Sequence, residues 1–247
     1  MYAVIRYASE YRRRQSALEQ EFQNARELQQ ILVPETLPEI PGFTLNSAYK
    51  PAREVGGDFF QIIPLEGEHA GSTLIVLGDV SGKGLKAAMT VSLIVGAVRT
   101  LAETASSPAE ILSGLNRRLT GRMQGGFVTC IALRLNPEGQ CILATAGHPA
   151  PWLNQREIDL SGTLPLGLLA TAEYQETTIQ LHEGDHLALY TDGLLEARNA
   201  SGELYGFDRL NILFGTRPNA EQASTEAVTF GQDDDITVLT LTRLVMA

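Results

Sequence analysis

Residues 74–84, Leu-Ile-Val-Leu-Gly-Asp-Val-Ser-Gly-Lys-Gly, constrain the fold more than any other stretch of the chain. An apolar, β-branched run stops at an aspartate inside a glycine-rich turn, and a second apolar segment follows over residues 85–99. The first run predicts a buried strand and the second a helix. Asp79 then stands at a strand end, where a short carboxylate can be aimed at a ligand and glycines let the backbone approach it. A phosphate-cradling P-loop does not fit, because only Asp79, Val80 and Ser81 separate Gly78 from Gly82, and Gly84 follows Lys83. A serine-nucleophile elbow needs glycine two residues before Ser81, where Asp79 stands. Taken alone, the stretch leaves open a plain turn whose aspartate caps the next helix.

The 247 residues allow one large domain, or a domain with an appendage, and 44% hydrophobic content is enough for a core. A net charge of −10 disfavours nucleic acid as a partner and leaves carboxylates available for a hard metal ion. Cys130 and Cys141 lie in apolar, strand-like sequence without zinc or redox spacing, which predicts two buried reduced thiols and a cytoplasmic protein. No apolar run reads as long enough to span a bilayer, and no signal peptide is evident. The cluster Arg6, Arg12, Arg13 and Arg14 is of the kind that flanks the cytoplasmic end of a membrane helix, which admits a larger membrane-anchored sensor.

Up to about Leu32 there is no Gly or Pro, and Leu18, Phe22, Ala25 and Leu32 lie near one face, with Gln29 interrupting the seam. Residues 1–38 are therefore expected to form a linker helix, either folded on its own domain or pairing with a second copy; Pro34, Pro38 and Pro41 end it. The domain proper is expected over 39–247. Strands are predicted over 43–49, 61–64, 74–77, 127–135, 140–145, 152–153, 187–190 and 236–241, with helices over 85–103, 108–120 and 205–214, and a helical turn over 194–198. Residues 216–230 read as polar and weakly patterned. No internal repeat or low-complexity tract is present.

Asp58, Asp79, Asp192 and the run 233–235 all abut apolar strands. Like charges gather at the ends of a buried sheet when something positive sits between them. Oxygen donors without His or Cys point to Mg²⁺ or Mn²⁺, and several carboxylates with open positions suit two ions that activate water and clamp a phosphoryl group. His182-Glu183-Gly184-Asp185-His186 fits the His-Glu-x-x-His zinc pattern literally, but Gly184-Asp185 reads as a hairpin turn rather than a helix. His148 reads as a turn histidine bonded to backbone.

Val-Gly-Gly-Asp-Phe-Phe at 55–60, Gly-Asp-Val-Ser-Gly-Lys-Gly at 78–84, Ala-Gly-His-Pro-Ala-Pro at 146–151, Tyr-Thr-Asp-Gly-Leu-Leu-Glu-Ala at 190–197 and Asp-Asp-Ile-Thr-Val at 234–238 occur in one order over roughly residues 40–245. Together they resemble the metal-dependent PPM protein phosphatases, in their bacterial SpoIIE/RsbU branch. The resemblance implies an α+β fold, two antiparallel β-sheets packed as a sandwich and flanked by α-helices, with metals in a cleft at one end. It implies that Asp79 bridges two Mn²⁺ or Mg²⁺ ions, that the Val80 carbonyl helps hold one, and that Asp192 and Asp234 complete the other's shell. Asp235 could share the role of Asp234. Asp58 would serve both as a ligand and as the group that holds water on the ions. The implied reaction is hydrolysis of phosphoserine or phosphothreonine, by attack of hydroxide on the metals, in a STAS-domain anti-anti-sigma partner. The family also implies that the linker acts as a transmission device through the helices after Asp79.

Two departures stand out. Many relatives carry an aspartate where this chain has Gln61, which puts one metal site in doubt, and the basic phosphate-gripping residue of eukaryotic relatives has no clear match, Lys83 reading as a solvated turn lysine. The rival reading is a phosphatase-fold scaffold that binds a phosphorylated partner without turning it over.

Overall fold

The computed structural model describes residues 6, 7, 11, 34, 36–52, 55–105, 107–160 and 162–245. The linker helix expected over 1–38, and its pairing stripe, lie largely outside the described residues. Leu37 and Ile40 already pack against the core, so the domain is under way by that point.

Among the described residues, ten strands form two antiparallel sheets. The first runs β1 (Phe43–Lys50), β10 (Ile236–Arg243), β9 (His186–Tyr190), β6 (Trp152–Leu153), β7 (Arg156–Glu157); the second runs β2 (Asp58–Pro64), β3 (Thr73–Val80), β4 (Val128–Leu135), β5 (Gln140–Ala146), β8 (Glu176–Gln180). Helices α1 (Leu85–Ala102) and α2 (Pro108–Leu119) cover the outer face of the second sheet. Helices α3 (Asp192–Leu195), α4 (Gly206–Gly215) and α5 (Ala220–Phe230) cover the outer face of the first. The result is the sandwich expected from the sequence.

This layering explains why β3 reads as an unbroken apolar run. Ile75 and Leu77 face the opposite sheet, whereas Leu74 and Val76 face α1 and α2, so both faces of the strand are buried. Each such side chain contributes about 1.5–3 kcal/mol. Cys130 and Cys141 fall on opposite sides of the second sheet, one under the helices and one between the sheets, and both are free and buried. Burial pushes the Cys141 thiol up to about 12, so it behaves as a small apolar group.

Four local expectations need correction. Helix α1 is in fact long and apolar enough to cross a membrane by length and composition, but its Ala87, Val91, Ile94, Val95 and Val98 are buried against the second sheet. Helix α5 occupies part of the stretch that read as unpatterned. Its buried face consists of Ala220, Ala223, Ser224 and Ala227, residues too small to leave a hydrophobic signature, and its start is a reciprocal Asn219–Gln222 capping box. Strand β8, Glu-Thr-Thr-Ile-Gln, is an edge strand with alternating exposure and no apolar run. The turn at Gly184-Asp185 joins β8 to β9, which belong to different sheets, so it is a crossover and not a hairpin.

Candidate metal centre

Asp58 opens β2 and Asp79 nearly closes β3, and the antiparallel register sets them directly opposite each other. Both lie on the inner face, in line with Phe60 and Ile62 on one strand and Ile75 and Leu77 on the other. At this end the apolar layer between the sheets gives way to polar groups. Thr191, which follows β9, and Thr237 of β10 approach from the first sheet and donate to Asp58 Oδ2 at 2.7 and 2.5 Å.

The remaining acidic residues arrive from the first sheet's loops. Asp192 begins α3, immediately after Thr191. Asp234 Oδ1 accepts from the Asp235 amide at 2.9 Å, and its Oδ2 lies 3.3 Å from Lys83 Nζ. Lys83 Nζ also donates to the Asp233 carbonyl at 2.8 Å, so this lysine is tethered across the cleft mouth from the Asp79 turn to the acidic loop. Asp235 accepts from Tyr49 Oη and from the Ala52 amide, both at 2.8 Å, which ties it to the end of β1. Asp235 is thus held by two protein donors, whereas Asp234 lies beside Lys83.

Glycines let these groups come close. A Cβ at Gly57 would meet the Val80 carbonyl oxygen at 2.2 Å and Asp79 Oδ1 at 2.6 Å, and one at Gly193 would meet the Asp235 carbonyl oxygen at 2.0 Å. Either substitution would force the backbone apart at the site.

The cluster is electrostatically strained. Burial, then the charges of Asp79 and Asp235, hold the Asp58 carboxyl well above the usual range, while the Thr237 and Thr191 hydroxyls act in the opposite sense. Burial, followed by Asp192, Asp234 and Asp235, raises Asp79, and a hydrogen bond with Asp58 opposes this. Asp192 is raised by burial, then by Glu196 and Asp234. Five carboxylates from two sheets thus feel one another, which a cation would relieve.

Among the described residues, no three His, Cys, Asp or Glu side chains close around one point as a finished cage. The donor set nevertheless fits a hard divalent ion. It consists of carboxylate and carbonyl oxygens, with Gly57 keeping open the space beside Asp79 and the Val80 carbonyl.

The histidines lie elsewhere. His182 is exposed, and the buried His186 pairs through Nδ1 with Thr242 Oγ1 at 3.0 Å, so the two do not form a zinc pair. His148 pairs with the Thr129 hydroxyl at 3.0 Å, and its backbone amide donates to Thr145 Oγ1 at 3.2 Å. Gln61 sits on the opposite face of β2 from Asp58, where its Oε1 accepts from Arg99 Nε of α1 at 3.0 Å. It is therefore outside the carboxylate cluster. Sequence reasoning passed over Thr191 and Thr237 as candidate site residues. Their signal was positional, one directly before Asp192 and one three residues after Asp234.

Two stacked antiparallel sheets with helices on both outer faces and acidic residues converging at one end define the architecture of PP2C-type phosphatase domains. The solved SiaA-PP2C domain of Pseudomonas aeruginosa superposes with a TM-score of 0.76 at 22% identity, over 94% of this chain and 98% of that one. Residues 69–244 match the family model described as Stage II sporulation protein E (SpoIIE), and the chain belongs to that family. It is 27% identical over 246 residues to the phosphoserine phosphatase RsbU of Bacillus subtilis (strain 168), spanning 94% of this chain and 72% of RsbU. The RsbU and RsbW domains of Rv1364c from Mycobacterium tuberculosis match with a TM-score of 0.71 and 25% identity, over 87% of this chain and 64% of that one.

Proposed function

We propose that the chain is a Mn²⁺- or Mg²⁺-dependent protein phosphatase that hydrolyses phosphoserine or phosphothreonine on a regulatory partner of the STAS, anti-anti-sigma type. The observation that carries this reading is the direct opposition of Asp58 and Asp79 across β2 and β3, with Asp192 and Asp234 brought within electrostatic reach from the other sheet. A multivalent cation among them would make that gathering favourable. Asp79, the Val80 carbonyl, Asp192 and Asp234 would hold two ions, with Asp235 supporting the loop and Asp58 beside them. When bound, the ions would supply a Lewis acid for the phosphoryl oxygens and lower the pKa of water.

The chain's own residues do the rest. Asp58, fixed by two hydroxyls, orients the attacking water as a hydrogen-bond acceptor. Lys83 holds the 233–234 loop against the Asp79 turn and offsets part of the negative charge at the cleft mouth. A protein partner is in keeping with the similarity to RsbU and to the Rv1364c segment in which an RsbU domain accompanies an RsbW domain. The scaffold reading drew on Gln61, which faces α1 rather than the cluster.

Pairing of two copies through the linker expected over residues 1–38 is the regulatory counterpart of this proposal. Helix α1 leaves Leu85, Met89 and Leu93 exposed along one side, directly after the Asp79 turn. The substrate reading is tested by incubating the chain with a STAS-domain protein phosphorylated on serine and following its mass. Loss of one phosphate with Mn²⁺ but not with EDTA is expected. Stable complex formation without loss of phosphate would favour the scaffold.

A further inference from the structure

The two threonines that reach Asp58 are fully buried and hydrogen-bond to the same carboxylate oxygen. An ionised oxygen has about two lone-pair sites, so Oδ2 is filled by the two hydroxyls. Oδ1 is the oxygen left for Asp79 and the cleft. The Thr237 hydroxyl is not needed to build the sheet, whereas the Thr191 hydroxyl also accepts from the Thr237 amide at 3.0 Å. The Thr191 amide donates to the Thr237 carbonyl at 3.0 Å, and the ladder between β9 and β10 continues from Tyr190↔Val238. Both positions continue the inner-face alternation of Leu189 and of Leu239 and Leu241, and at 237 valine would suit a strand equally well and need no partner. Threonine at 237 therefore has its explanation in Asp58, and threonine at 191 in Asp58 together with the Thr237 amide.

We propose that Thr191 and Thr237 are positioning residues for phosphate-ester hydrolysis: together they clasp Asp58 Oδ2, so that Oδ1 alone is presented to the attacking water and the phosphoryl group. The proposal rests on the phosphatase reading above. It also links three acidic segments, because Thr191 adjoins Asp192, Thr237 follows Asp234 by three residues, and both hold the first residue of β2. With one clasp removed, the carboxylate can rotate about its Cβ–Cγ bond, and a displacement of about 1 Å at a reacting group can cost up to about a hundredfold in rate.

The test uses the whole chain, p-nitrophenyl phosphate and MnCl₂. Thr237→Val removes the hydroxyl and keeps the branched shape; Thr237→Ser keeps the hydroxyl and loses the methyl. Thr237→Val is expected to lower kcat about thirtyfold, with KM and Mn²⁺ binding, followed by the electron paramagnetic resonance of free Mn²⁺, within about threefold of wild type. Thr237→Ser is expected to retain kcat within about threefold even though it unfolds at lower temperature, since it lacks a buried methyl. Should Thr237→Val fail to fold, Thr237→Ala against Thr237→Ser makes the same comparison, the two differing only in the hydroxyl.

Turnover that follows stability, with the serine variant as impaired as the valine or alanine variant, overturns the clasp. So does a valine variant within threefold of wild type, or one that loses Mn²⁺ binding in step with kcat. If wild type itself shows no Mn²⁺-dependent hydrolysis, the phosphatase reading fails and the clasp's catalytic role with it; an active wild type with any of the preceding outcomes removes the clasp alone.

Discussion

In the proposed centre Asp79 is expected to matter most, because it faces Asp58 along the sheet and feels Asp192, Asp234 and Asp235. Asp79→Asn is expected to lower kcat about a thousandfold, equivalent to about 4 kcal/mol of transition-state stabilisation, in a phosphate-release assay. A variant within threefold of wild type would put the centre elsewhere. His148 makes a different prediction. Burial lowers its pKa to about 3, whereas an unfolded histidine titrates near 6.5. Below pH 6.5 the unfolded chain takes up a proton that the folded chain refuses, so this contribution to stability is present above that pH and is lost as pH falls. Wild type should lose about 2 kcal/mol relative to His148→Gln between pH 7 and pH 5 in denaturant unfolding. Equal pH dependence of the two proteins would show that His148 is not held neutral. At this scale the acidic residues were legible because a carboxylate at the end of an apolar strand is costly without a reason. Thr191 and Thr237 were not, because threonine is an ordinary strand residue and only the three-dimensional arrangement reveals what its hydroxyl holds.

Among the elements, the strong patterns translated directly. The run before Asp79 became β3, and the segment after it became α1. Pro108 stands in the first turn of α2, behind a Ser107 cap that accepts from the Glu110 amide. Helix α5 and strand β8 escaped for one physical cause, that burial through small or alternating polar residues leaves little hydrophobic signal. Helix α5 is the clearest case, packing through alanines and defined at its start by Asn219. Asn219→Ala removes the acceptor for the Gln222 amide and should cost about 1 kcal/mol, read as a lower unfolding midpoint. Because α5 packs on the outer face of the first sheet, away from Asp58 and Asp79, turnover at 25 °C should be unchanged. A selective loss of turnover without loss of stability would mean that α5 is coupled to the site.

For the molecule as a whole, the two sheets each carry half of the proposed centre. Asp58 and Asp79 belong to the second sheet, and Thr191, Asp192, Asp234 and Thr237 to the first or its loops. The family resemblance carried by the motifs implied the sandwich before any coordinates, but the way the sheets meet was not legible, since the Asp58 clasp joins residues 133 and 179 positions apart. A centre built across the sheets, in a chain of net charge −10, should be stabilised by the ions it binds, because cations that bind only the folded state add RT ln(1 + [L]/Kd) to its stability. The most direct measurement is a Mn²⁺ titration of the EDTA-stripped chain and of Asp79→Asn, following p-nitrophenyl phosphate turnover and the unfolding midpoint together. Both quantities should rise over the same range of Mn²⁺ in the wild type, and neither should rise over that range in Asp79→Asn. Turnover that persists in EDTA, or an Asp79→Asn chain that responds to Mn²⁺ as the wild type does, would contradict a carboxylate-held metal centre.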